Sequence, residues 1–73
     1  MADVVPREVA IAEETIRLGQ LLKLAGLAES GGHARELVQE GAARVNGEVE
    51  LRRGRKLRRG DTVTVEGETV RVA

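Results

Sequence analysis

The spacing of apolar positions changes period twice along the chain, and the changes mark the predicted elements. Near the N-terminus "REVAI" alternates over a few residues and predicts a short first strand. The period then lengthens. In "IRLGQLLKLAGL", Leu18, Leu21, Leu22 and Ala25 recur at i, i+3, i+4 and i+7, one stripe of a helix. Thr15 is its predicted start and Gly26 its predicted C-terminal cap, since a left-handed backbone costs glycine little. Gly19 inside the stripe is a penalty of about 1 kcal/mol relative to Ala. "ESGGHARELVQEG" predicts a second helix, N-capped by Ser30, with Ala34, Leu37 and Val38 buried and Gly41 as its end.

After Gly41 the period drops to two. "ARVNGEVEL" predicts a strand pair with Val45, Val49 and Leu51 on one face. Asn46-Gly47 between them is a strong two-residue hairpin signal, because both positions accept positive φ. Further alternating runs carry Val63 and Val65, then Val70 and Val72, with turns at Gly60-Asp61 and "EGET". The expected fold class is α+β: two packed short helices, a helical corner, against a small, mostly antiparallel β-sheet. Residues 1–14 are expected to be an N-terminal segment carrying the first strand and 15–73 the functional domain, in a single-domain chain. "LRRG" occurs twice, at 51–54 and 57–60, too short a repeat for a solenoid.

Composition narrows the chemistry. The 73 residues include no Phe, Tyr, Trp or Cys and one His. The core must therefore be aliphatic, and neither a disulfide framework nor an ordinary zinc site is expected. A domain this small buries only about 60% of its unfolded surface. The expected cofactor and metal content is none. No stretch approaches the length of a membrane span. The acidic start "MADVVPREVAIAEET" lacks a basic region followed by an apolar run, so a signal peptide is not expected and a cytoplasmic location is.

The formal charge is zero, 12 basic against 12 acidic residues, but it is polarised. Residues 1–16 hold four acids and one Arg, whereas residues 44–59 hold seven basic residues against Glu48 and Glu50. Such asymmetry points to a polyanionic partner. "LRRGRKLRRGD" concentrates six of the basic residues, and ten of the twelve in the chain are Arg, whose planar fork matches phosphate oxygens.

Catalysis finds little support. Ser30 and His33 lie three apart, but nothing supplies a third group to orient the base, nor an oxyanion site. They read as a helix cap and an exposed helix residue. "SGGHAR" reads equally as a flexible helix start and as an anion site, in which uncovered backbone N–H groups, Ser30 and Arg35 together hold a phosphate. Without aromatic side chains, bases cannot be stacked in the usual way. RNA would be held through phosphates, 2′-hydroxyls and shape, with strong salt dependence.

The segment from "IRLGQLLKLAGL" through "GDTVTV" resembles the S-four RNA-binding domain, the helical-corner or alpha-L module. Its marks are "RL..LLK", "S..AR.L...G", "V(N)G" and "GD.V.V" in that order, over about residues 15–66. The segments "LLKLAGLAESGG" and "RRGRKL" are most similar to the short stand-alone YbcJ/YaaA-like bacterial group. The resemblance implies an RNA face on Arg17 and Lys23 of the first helix, and on Ser30 and Arg35 of the second. It adds Arg44 and Asn46 of the first hairpin, and a basic hairpin loop of Arg52, Arg53, Arg55 and Lys56. Arg58 and Arg59 are expected to be ordinary surface. Two departures are Ala43 at a position usually aliphatic or β-branched, and acids at Glu36, Glu40, Glu48 and Glu50 close to the implied face.

The expected function is therefore a non-catalytic, monomeric module binding structured RNA, ribosomal or transfer. It would be associated with the ribosome or with an RNA-modifying enzyme and have no membrane contact. The competing expectation is a protein-interaction module that docks acidic surfaces through the same Arg cluster.

Overall fold

Alternate residues of the later strands are Val or Ala, and these side chains close one face of a five-stranded sheet. The computed structural model describes residues 6–73. The elements run β1 (Arg7–Val9), β2 (Thr15–Arg17), α1 (Leu18–Leu24), α2 (Gly31–Gln39), β3 (Ala43–Val45), β4 (Glu48–Val49), β5 (Lys56–Arg58), β6 (Thr62–Val65) and β7 (Glu68–Val72). The large sheet has the order β1-β7-β6-β3-β4, and β2 and β5 form a separate antiparallel pair. Only β1 against β7 is parallel among these pairings, so the α+β, mostly antiparallel expectation holds.

The inner face of the sheet supplies Ala43, Val45, Val63, Val65, Val70 and Val72, and the helices supply Leu18, Leu21, Leu22, Ala34, Leu37 and Val38. Leu57 of β5 and Val9 of β1 join the same cluster. Ala43, despite its small size, is fully buried and pairs with Val65. The opposite face of the sheet is polar, with Arg44, Thr64, Thr69 and Arg71 on it, and the Thr64 and Thr69 hydroxyls 2.8 Å apart. No helix among the described residues is long and apolar enough to cross a membrane.

The strand over "REV", the second helix with its Ser30 cap, and the Asn46-Gly47 turn (φ 52° and 88°) form as expected. Three expectations need correction. The first helix begins at Leu18, not Thr15, because Thr15, Ile16 and Arg17 pair with Arg58, Leu57 and Lys56. A pairing partner some forty residues away overrides the local helical period.

Val49 and Leu51 do not share the buried face of Val45; they are 46% and 62% exposed. The two-residue turn sets Val45 opposite Glu48 and Arg44 opposite Val49, so the alternation changes sign across it. Finally, Arg52, Arg53 and Arg55 do not form a hairpin loop. Their segment leaves β4 of one sheet and enters β5 of the other, and Lys56 already belongs to that second strand.

Candidate nucleic-acid interface

The start of α1 is tied to the basic segment through the backbone. The Leu18 N–H donates to the Arg55 carbonyl at 2.8 Å, and the Gly19 N–H to the Arg53 carbonyl at 3.0 Å. The Arg17 N–H donates to Gln20 Oε1 at 3.3 Å. Helix-start donors that would otherwise lack partners are thus satisfied by a segment distant in sequence. Gly19 permits the close approach: a Cβ there would lie 2.6 Å from Cγ of Arg53. The glycine that looks like a helix penalty is the seat of the Arg53 side chain.

Beside this junction lies a groove of about 340 Å³. Arg17, Gln20, Lys23 and Arg53 stand around it, with Gly19, Gly31 and Ala34 among its other lining residues. Among the described residues, none of the three cations has a carboxylate within salt-bridge distance. Lys56 adds a fourth such cation. It sits directly opposite Arg17 in the β2–β5 pair, while buried Leu57 and half-buried Ile16 form the next, inward pair. Like charges opposed across a strand pair repel, and an anion resting against both relieves the repulsion.

The α2 N-terminus reaches the groove through Gly31. Ser30 Oγ accepts the His33 N–H at 3.0 Å, and His33 Nδ1 accepts the Glu29 N–H at 3.0 Å. The two side chains therefore close the helix start reciprocally, and Ser30 is not hydrogen-bonded to an imidazole base. His33 is half-buried, not exposed as expected, because its ring turns back to the preceding loop.

Glu50 divides the basic run. Its carboxylate accepts from the Arg52 backbone N–H and Nε at 3.0 Å each, from Arg52 Nη2 at 3.3 Å and from Arg55 Nη1 at 2.9 Å. The Arg52 and Arg55 hydrogen bonds hold the Glu50 carboxyl well below its ordinary 4.5, at about 2. The same carboxylate raises the pKa of the Arg52 guanidinium. Glu50 thus stabilises the fold fully above pH 4.5, and this contribution is lost as pH falls through about 2. A chemical-denaturation series from pH 6 to pH 2 is expected to show stability falling on acidification. In Glu50→Gln the fall should be smaller.

The other expected site residues are dispersed. Ser30 and Arg35 each adjoin a groove residue, Gly31 and Ala34, without lining the groove. Arg44 lies on the outer face of the large sheet, opposite the helices, with Nη1 donating to the Gly47 carbonyl at 3.3 Å. Asn46 is occupied in the fold: its Nδ2 donates to Asp61 Oδ1 at 3.2 Å and its Oδ1 accepts from the Thr62 N–H at 3.0 Å. Arg59 Nη2 anchors the Ile11 carbonyl at 2.8 Å.

Gln20, Gly19 and Gly54 are groove residues that sequence reasoning passed over. The three-residue spacing from Arg17 to Gln20 is a helix-start signal, legible only if the helix begins at Leu18.

A family model described as "S4 domain" matches residues 9–73. The chain is 49% identical over 59 residues to "Probable ribosome maturation protein RlbA" of Bacillus subtilis (strain 168), covering 81% of this chain and 83% of that protein. It is 42% identical over 57 residues to YbcJ of Escherichia coli (strain K12), covering 78% and 81%. Its fold is similar to the solution structure of YbcJ from E. coli, described as revealing an αL motif involved in RNA binding. The TM-score is 0.68, with 32% identity and 99% of both chains covered.

Proposed function

Because this chain belongs to the S4 domain family, we propose that it is a non-catalytic RNA-binding module for structured RNA, with ribosomal RNA as the first candidate and transfer RNA as the second. One observation carries the reading. Arg17, Lys23, Arg53 and Lys56, none with a carboxylate partner among the described residues, gather at the junction of the helical corner and the β2–β5 pair. Guanidinium and ammonium groups without acidic partners take phosphate oxygens. Ser30 and Arg35 extend the footprint along α2, and Arg52 and Arg55 flank it. The proposed footprint does not require Arg44, on the far face of the sheet, or Asn46, whose side chain is bonded within the fold.

The absence of Phe, Tyr and Trp favours a double-stranded or folded target, gripped through phosphates and 2′-hydroxyls, over stacked single strands. The name of the relative RlbA supports a role in ribosome maturation. A cytoplasmic, monomeric protein fits this use.

Binding of the purified protein to ribosomal RNA and to tRNA across a potassium chloride series tests the proposal. Three or four phosphate contacts predict a log–log slope of about −2 to −4. No binding at low salt, or a slope near zero, overturns it. Capture of an acidic protein that survives nuclease treatment, without RNA binding, favours docking to a protein instead.

Lys56→Glu separates binding from folding. It replaces the repulsive Arg17–Lys56 pair by an attractive one, roughly 0.2–1 kcal/mol in favour of the fold. Thermal stability is therefore expected to rise slightly while RNA affinity falls. Melting curves and binding isotherms on the same preparation check both directions.

A further inference from the structure

Glu50 is the buried charged side chain among the described residues, 7% exposed, and it stands at the head of a basic run. Its contacts with Arg52 are directional. Nε meets Oε2 at 3.0 Å and Nη2 meets Oε1 at 3.3 Å, so one edge of the guanidinium is held flat against the carboxylate. The Nη1 group of Arg52 is left over, on a side chain that is 76% exposed. Arg55 closes the other side of Glu50 at 2.9 Å. The backbone between them, at Arg53 and Arg55, caps α1 beside the groove.

We propose that Glu50 is a positioning residue for RNA recognition, holding Arg52 edge-on so that its free Nη1 group meets a phosphate in one orientation. This rests on the RNA-binding reading and deepens it.

Two physical effects follow. An arginine on an exposed segment without a partner samples many rotamers, which binding must then restrict. Paired to Glu50, Arg52 is ordered before RNA arrives, which is preorganisation. The carboxylate also cancels one positive charge of the Arg52–Arg55 pair. That weakens indiscriminate attraction to any polyanion and leaves the groove cations to decide where RNA sits. Removing the carboxylate therefore acts in opposite directions on a structured RNA and on a featureless one. A purely structural role would weaken both together, and a purely electrostatic one would strengthen both.

The test compares wild type and Glu50→Gln on purified 23S ribosomal RNA and on poly(U), at one salt concentration, with circular dichroism as a check on folding. The expected result is a fall of about tenfold in the preference for 23S RNA over poly(U), with poly(U) affinity higher. Arg52→Lys keeps the charge and removes the fork. It should lose the same preference, and Glu50→Gln in that background should strengthen binding to both RNAs together without a further loss of preference. Because Arg52→Lys retains the charge at an exposed position, it keeps the proposal testable even if Glu50→Gln fails to fold.

An unchanged preference in either folded variant overturns the proposal, as does an equal loss on both RNAs. If the wild type binds neither RNA, the RNA-binding reading itself falls, and this inference with it.

Discussion

Replacing Arg17, Lys23 and Arg53 together by Glu is expected to lower affinity for structured RNA by about a thousandfold or more while the fold survives. A charge-assisted hydrogen bond contributes about 1.5–3 kcal/mol, and each 1.4 kcal/mol is a factor of ten. Three such contacts at the lower end give roughly three decades before repulsion from the new carboxylates is added. The fold has little to lose. The three side chains are exposed and have no acidic partner among the described residues, and the lost hydrogen bond is a 3.3 Å contact from Arg17 Nη1 to the Gly54 carbonyl.

Reversing Arg52 and Arg55 instead would set two further carboxylates against buried Glu50. It would disrupt the segment that caps α1 and confuse recognition with folding. Filter binding at low salt, with a melting curve for each variant, makes the measurement. Unchanged affinity in the folded triple variant would move the interface to another face of the molecule.

The second large effect is on stability. Leu57→Ala is expected to cost about 2–5 kcal/mol, the range for truncating a buried leucine. A chain of 73 residues has roughly 4–11 kcal/mol of stability in total, so much of it would go. At about 4–8 °C per kcal/mol for a domain of this size, the melting temperature should fall by at least about 8 °C.

Leu57 is fully buried between exposed Lys56 and Arg58, and its burial draws β5 onto β2 and into the core. Without that anchor the carbonyls of Arg53 and Arg55 lose their hold on the start of α1. Amide hydrogen exchange at Leu18 and Gly19 should therefore accelerate more than exchange in β6 and β7. A melting shift below about 5 °C would mean that the β2–β5 pair is held chiefly by other contacts.

The resemblance pointed to the helical corner and to Arg17, Lys23 and Arg53, which share one groove. It also pointed to Arg44 and Asn46, which the fold sets apart: one on the outer sheet face, the other bonded to Asp61 and Thr62. The nearness of Glu50 to Arg52 and Arg55 can be seen in the spacing. That Glu50 would be the buried residue, with Val49 and Leu51 exposed, cannot be seen without the pairing of Val45 to Glu48.

Local chemistry alone was enough for α2 with its Ser30 cap, for the Asn46-Gly47 turn, and for the alternating valines of β6 and β7. Each of these depends on side chains within about four residues of one another, the range over which helical and strand periods and turn preferences act. Other features needed the folded chain: the β2–β5 pair, the seat of Arg53 on Gly19, and the division of the arginines into those held by Glu50 and those left at the groove. Strand pairing, close packing and charge pairing depend on distance in space. For the first two of these the partners, Arg17 with Lys56 and Gly19 with Arg53, stand more than thirty residues apart along the chain; for the third it is the burial of Glu50, set by the pairing of β4 with β3, that decides.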